Sequence, residues 1–100
     1  METFNIAHLN LPGPQGPVNV IVVFLNTVFD HKTDEEKSQI WQGLQMCATG
    51  AGLAGNVVPV WQDAFGQMKF LAPKQQHPFF TTVSYQQLYG QVNRTLSCGD

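Results

Sequence analysis

Residues 18–29 read Val18-Asn19-Val20-Ile21-Val22-Val23-Phe24-Leu25-Asn26-Thr27-Val28-Phe29, and the six positions from Val20 to Leu25 leave no polar face. Successive side chains of a strand point to opposite sides, so a strand that meets water on one side alternates apolar with polar residues. One that is apolar on both sides needs cover on both. The segment is therefore predicted to be a strand over 18–29 with both flanks shielded. What supplies the shielding decides the fold.

Upstream, residues 3–11 read as a second strand. Phe4, Ile6 and His8 share one face, while Asn5, Ala7, Leu9 and Leu11 share the other. Leu11 to Pro17 (LPGPQGP) is a Pro/Gly connection, too poor in amide donors for a ladder and too stiff for a helix. Downstream, Asp30-His31-Lys32 breaks the apolar run. Thr33 then stands as an N-cap, with Glu36 completing a capping box and Asp34, Glu35 and Glu36 facing the positive helix end. Ile40, Leu44, Cys47 and Ala51 recur at helical spacing, widened by Trp41 and Ala48, and the helix is expected to stop near Gly50 or Gly52. Asn56–Gln62 reads as a strand in spite of Pro59, which belongs at a sheet edge, a strand start or a bend. A hairpin turn over Gln62–Gly66 leads to a return strand, Met68–Ala72. Pro73–Thr82 reads as a loop. Ser84 opens a last helix whose stripe is Tyr85, Leu88, Tyr89, Val92 and Leu96, with Gly99 after its end.

The order strand, strand, helix, strand, strand, helix predicts one α+β domain over 1–100. Its expected form is a two-layer sandwich with a four-stranded, mostly antiparallel sheet. Two helices on one face would leave half of the apolar strand open. Each such side chain is worth roughly 1.5–3 kcal/mol when buried, against a net stability of ~5–15 kcal/mol for a small domain. Either the helices lie on opposite faces or a second copy covers the open one, and the second solution makes the protein a homodimer.

The opposite-face solution has a family resemblance. Val58-Pro59-Val60-Trp61, then Asp63, Gly66, a strand and a closing helix look like the C-terminal half of a thioredoxin-like domain, where a proline precedes a hairpin strand. The strand from Val18 and the helix after Thr33 would stand for the preceding βα unit. The resemblance implies a βαββα arrangement with helices on both faces. The family's paired cysteines are missing, so no functional residue is carried across.

Composition narrows the function classes. Charged residues are 12% of the 100, the net charge is −2, and five residues are basic, which is too few for the basic stripe of a nucleic-acid binder. Gln occupies 11 positions and supplies polarity in place of charge. The longest apolar run is six residues, short of the ~20 of a membrane span. Glu2 stands where a signal peptide would be basic. Without an export signal, Cys47 and Cys98 are expected to be free thiols, the protein cytoplasmic, and the sequon Asn93-Arg94-Thr95 unmodified.

Gly50-Ala51-Gly52-Leu53-Ala54-Gly55 matches a phosphate-loop string, but a helix precedes it and a strand follows, so it reads as a helix stop and turn. His8, His31 and His77 show no metal-ligand spacing, and no metal or cofactor is expected. Cys47 lies on the apolar stripe, and Cys98 on what reads as a helix C-terminus, where a thiolate is disfavoured. The candidate ligand-binding residues are Trp61, His77, Phe79 and Phe80, aromatic and poor in neighbouring charge. The expected function is a small non-catalytic binding or protein-interaction module, homodimeric, taking a small apolar ligand or a protein and neither nucleic acid nor membrane. The alternatives are a small enzyme using Asp63 with His77 or His31 as an acid–base pair in a cleft, and a redox-inactive thioredoxin-like adaptor.

Overall fold

A computed structural model of the chain describes residues 2–12 and 16–98; Met1, Gly13 to Gln15 of the Pro/Gly connection, and Gly99 with Asp100 lie outside the described residues. The strands are β1 (Glu2–Leu11), β2 (Val18–Phe24), β3 (Asn56–Gln62), β4 (Met68–Phe70) and β5 (Arg94–Cys98), and the helices are α1 (Asp34–Gly50), α2 (His77–Thr82) and α3 (Tyr85–Tyr89). Short 3-10 turns cover Thr27–His31 and Lys74–Gln76. The strands form one sheet in the order β4-β3-β2-β1-β5. β1 is antiparallel to both β2 and β5, and β3 is antiparallel to β4. β2 and β3 are parallel, because α1 carries the chain back across the sheet between them.

The apolar strand is shielded within a single chain. Ile21 and Val23 of β2 join Ile6, Val57 and Leu96 beneath Leu44 and Ala48 of α1. Val20, Val22 and Phe24 join Ala7, Leu11, Val58 and Val60 on the other face, beneath Phe80 of α2 and Leu88 of α3. Of the two solutions to the burial problem, the molecule uses helices on opposite faces. Burial of β2 therefore gives no reason for a second copy.

The α+β class stands, and its details are corrected. The sheet is mixed and five-stranded, not four-stranded and mostly antiparallel, and helices cover both faces instead of one. β2 stops at Phe24, and Thr27–His31 becomes a turn in which the Asn26 side chain accepts from the Val28 amide. The expected loop 73–82 holds α2, whose Pro78 falls in the first turn, where a missing N–H costs nothing. The expected C-terminal helix ends at Tyr89, and residues 94–98 pair with β1 as β5. Leu96 fits a helical stripe four residues after Val92, but it also alternates with Thr95 and Ser97, and the unpaired flank of β1 settles the choice. Asn93 prepares that pairing: its Oδ1 accepts from the His8 amide at 3.0 Å and its Nδ2 donates to the His8 carbonyl at 3.3 Å.

Pro59 lies in β3, between β2 and β4, not at an edge. A residue's N–H and C=O point to the same side of its strand, and the Pro59 carbonyl accepts from the Leu71 amide, so its nitrogen faces the β4 flank. Val60 opposite Phe70 is the last full register of β4, and the Pro59–Leu71 pair beyond it keeps the bond from the Leu71 amide but lacks the reciprocal one, which proline cannot donate. Proline thus ends the β3–β4 ladder at that pair. From β2 to α3 the chain follows the strand–helix–strand–strand–helix course of the thioredoxin-like alternative. It departs from that arrangement in β1 and β5, which extend the sheet beyond β2.

α1 obeys its capping box: Thr33 Oγ1 accepts from the Glu36 amide and Glu36 from the Thr33 amide. α1 ends at Gly50, and the chain then enters β3 through Gly55, whose φ is +128°. A Cβ on Gly55 would fall 2.6 Å from the Asn19 carbonyl oxygen of β2. Both conformation and space thus require glycine at this position.

Cys47 and Cys98 form a disulfide with a Cα–Cα distance of 5.8 Å, which overturns the expectation of free thiols. The reason is β5. As a strand beside β1 it turns Leu96 and Cys98 toward α1, whereas a helix would have carried Cys98 elsewhere. The bridge spans 51 residues and fastens the last strand to the longest helix. Two stability predictions follow from these contacts. Gly55→Ala is expected to lower the denaturant-derived stability by about 1–3 kcal/mol, and an unchanged midpoint would show that the turn relaxes freely. Replacing both cysteines by serine is expected to cost about 2–4 kcal/mol, and equal midpoints with and without reductant would remove the bridge from the native fold.

Candidate functional site

The four residues singled out in the sequence do not form one site. Strand alternation puts Val57, Pro59 and Trp61 on the α1 face, and Val58 and Val60 on the face covered by α2 and α3. His77, Phe79 and Phe80 sit on α2, so Trp61 is separated from them by the sheet.

Trp61 belongs to a polar latch at the end of β3. Its ring meets Phe29 edge-on at 4.6 Å, and its Nε1 donates to Asp30 Oδ1 at 3.1 Å. Lys37 Nζ lies 5.4 Å from the ring centroid, a cation–π distance. Lys69, opposite Trp61 on β4, reaches Asp30 at 3.4 Å and Asp63 at 3.9 Å. Asp63 Oδ1 accepts from the Phe65 and Gln67 amides, both at 2.9 Å, and so shapes the hairpin turn. The indole hydrogen bond, helped by the Lys69 and Lys37 charges against partial burial, holds the Asp30 carboxyl below its ordinary value. The Trp61 indole, Asp30, Asp63 and Lys69 each find a polar partner within the latch or on the backbone.

On the opposite face, His77 Nε2 donates to the Ala72 carbonyl at 2.8 Å, and its ring stands edge-on to Phe70 at 5.3 Å. Phe80 is buried against Phe70 at 5.2 Å and Phe79 at 5.1 Å, so it is a core residue. No hydrogen bond joins His77 to Asp63 or His31 among the described residues. Asp63 and His77 each serve a local backbone contact instead.

Phe79 is different. It is half-buried and stands between two adjoining concavities that share Leu11 and Phe79. One, of about 490 Å³, runs between β1 and α3 past Leu9, Val83, Leu88 and Gln91. The other, about 430 Å³, lies where β1 ends and β2 and β3 begin, with α2 as its wall: Leu11, Pro12, Val18, Pro78 and Phe79 make it apolar, and Asn56, Gln75 and Gln76 add amides. Gln76, the N-cap of α2, is 9% exposed, and its Oε1 has no hydrogen-bond partner. An amide oxygen buried without a partner carries an uncompensated desolvation cost.

Of the four candidates, then, Phe79 lines this cleft, Phe80 backs it from the core, His77 braces the approach to α2, and Trp61 is elsewhere. Leu11, Val18 and Gln76 were missed. The overlooked signal is that Gln76 precedes the buried Phe80 by four residues, which places both on one side of a helix once residues 74–82 are read as helical. Among the described residues, no group of three His, Cys, Asp or Glu side chains is placed to hold a metal ion, and no helix is long and apolar enough to cross a membrane. The chain matches no known protein family, curated protein or solved structure at a significant level.

The latch predicts a pH dependence. A carboxyl held low in the folded state stabilises the fold above its unfolded value of 3.8, and that stabilisation disappears as the pH falls toward the lower folded value. Asp30→Asn is expected to unfold at lower denaturant than wild type near pH 7, with the gap narrowing below about pH 4. A gap that stays constant down to about pH 2.5 would mean that the charge of Asp30 contributes nothing.

Proposed function

We propose that the chain is a small non-catalytic binding module whose ligand site is the cleft between the start of β2 and α2. The observation that carries this reading is one concavity with apolar walls, from Leu11, Pro12, Val18, Pro78 and Phe79, in which, among the described residues, the only polar lining residues are the amides Asn56, Gln75 and Gln76. Its volume, about 430 Å³, falls in the range of roughly 300–1,000 Å³ usual for small-molecule sites. Phe79 is held in place by Phe80, itself packed on Phe70, so one wall is organised before any ligand arrives. A concave apolar surface of this size suits a small apolar or aromatic molecule better than a protein face. Binding is favoured over acid–base catalysis because Asp63 and His77 are committed to backbone partners.

The Cys47–Cys98 bond bears on compartment. Such a bond persists in oxidising surroundings and is kept reduced in the cytosol. It therefore supports an oxidising compartment over the cytoplasmic residence expected from the sequence.

The test is a titration of the isotopically labelled protein with toluene, followed by NMR. Shifts are expected at Leu11, Val18 and Phe79 and not at Trp61, and Val18→Trp, which fills the cleft, is expected to abolish them. Shifts centred on Trp61, or none at all, would refute the assignment of the site.

A further inference from the structure

We infer that the Cys47–Cys98 disulfide is a redox-operated fastening for β5. Once a dithiol reduces it, the last strand opens by itself, ahead of the rest of the fold, and the first residues of β1 lose their pairing with it. The device lies on the β5 flank of the sheet and does not involve the cleft residues.

β5 is held at three points. At its start, Asn93 clasps both backbone groups of His8. In its middle, Leu96 is buried with Ile6 and Leu44 on the α1 face. At its end, Cys98 is bonded to Cys47 of α1. The rest of the strand adds little burial: Arg94, Thr95 and Ser97 are exposed, and Cys98 is half-buried. β5 has five residues, lies at the edge of the sheet and pairs, among the described residues, with β1 alone. A short edge strand with one buried side chain belongs to the low end of a protein's local stabilities. A covalent tie at its free end opposes that opening.

The core does not depend on β5 in the same way. β2, which needs cover on both sides, has α1 on one face and α2 with α3 on the other. Leu96 is the fully buried side chain that β5 contributes to those layers. From Ile6 to Leu11, β1 keeps its ladder with β2. Glu2 to Asn5 are different, because their register partners among the described residues are on β5 alone. Opening of β5 therefore unpairs both ends of the described chain together.

In the reducing step a dithiol such as dithiothreitol gives up two electrons and two protons and closes its own disulfide. The Cys47–Cys98 bond breaks, and two thiols form. The tie holds in an oxidising compartment and is lost where dithiols are maintained, so the state of β5 follows the surroundings of the protein.

Amide hydrogen exchange on the wild type, before and after reduction with dithiothreitol, tests the inference. The Ile6 backbone faces β5, since its carbonyl accepts from the Asn93 amide, and strand alternation turns the Phe4 backbone the same way, opposite Leu96. Reduction is expected to speed exchange at Phe4, Ile6 and Leu96 by at least about tenfold. In the reduced protein these amides are also expected to exchange at least about tenfold faster than those of Ala7 and Val22, which pair across β1 and β2. A smaller acceleration would show that β5 stays closed without the bond. Equal rates at the two groups after reduction would show that the bond supports the whole fold. Either result overturns the inference.

A second measurement needs no reductant. Trypsin is expected to cut the Cys47→Ser/Cys98→Ser variant after Arg94 well before Lys37 of α1 or Lys69 of β4, and to cut the oxidised wild type after Arg94 at least about tenfold more slowly. Equal cutting of the two proteins after Arg94, or simultaneous cutting of the variant at all three residues, counts against a local opening. If the variant does not fold, the exchange rates of the reduced wild type decide.

Discussion

The structure depends on one strand that has no side to show to water. With Val20, Val22 and Phe24 on one flank and Ile21 and Val23 on the other, β2 is stable only between two layers. The chain supplies both, and the way it does so dictates the connectivity. α1 must lie on one face, and returning from it places β3 parallel to β2. The second layer has to come from what remains after the β3–β4 hairpin, and only the short helices α2 and α3 are available. They cover the sheet with few large side chains, chiefly Phe80 and Leu88, and leave concavities beside them. The candidate cleft is thus a by-product of covering a wide sheet face with two short helices.

The parts of the fold written locally were legible. Thr33 and Glu36 set the start of α1, the glycines after Thr49 set its end, and Ser84 set the start of α3. What escaped was non-local. Nothing near residues 94–98 says that β1 has an open flank waiting for them, and Leu96 satisfies both a helical and an alternating pattern. With residues 94–98 in a helical pattern the disulfide is out of reach, because Cys98 faces Cys47 only from a strand beside β1. Residues 73–82 failed for a different reason. Two prolines in ten positions suggest a loop, yet Pro73 precedes the 3-10 turn and Pro78 falls in the first helical turn, the two places where helical structure tolerates it.

The site followed the same division. Aromatic content alone grouped Trp61 with Phe79 and Phe80, but the period of a strand decides which face each residue joins. Trp61 shares its face with Val57, so it faces α1, Lys37 and Asp30. Its indole N–H is spent on a carboxylate and its ring on Phe29, which makes it a fastening between the β3–β4 hairpin and the turn after β2. Phe79 and Phe80 are neighbours in sequence on a helix, so one turns inward and the other toward the rim. That split separates a core residue from a lining residue within a single dipeptide.

The abundance of glutamine now has a structural meaning. A protein with 12% charged residues must satisfy exposed and half-buried backbone groups by other means, and a primary amide can donate and accept at once. Gln45 uses both ends to fix the first residues of β3 to α1, accepting from Val57 at 2.8 Å and donating to Gly55 at 3.1 Å. Asn93 does the same for the bend between α3 and β5 by clasping both backbone groups of His8. Gln62 donates to Gly66 across the hairpin turn, and Gln87 closes the capping box of α3. Against that pattern Gln76 stands apart. It is as buried as a core residue, and its oxygen is the buried side-chain polar atom left without a partner among the described residues. Position 76 precedes Phe80 by one helical turn, where an apolar residue of similar length would fill the same space without that cost. The burial of that oxygen is a cost that the amide pairing seen elsewhere in the chain does not offset.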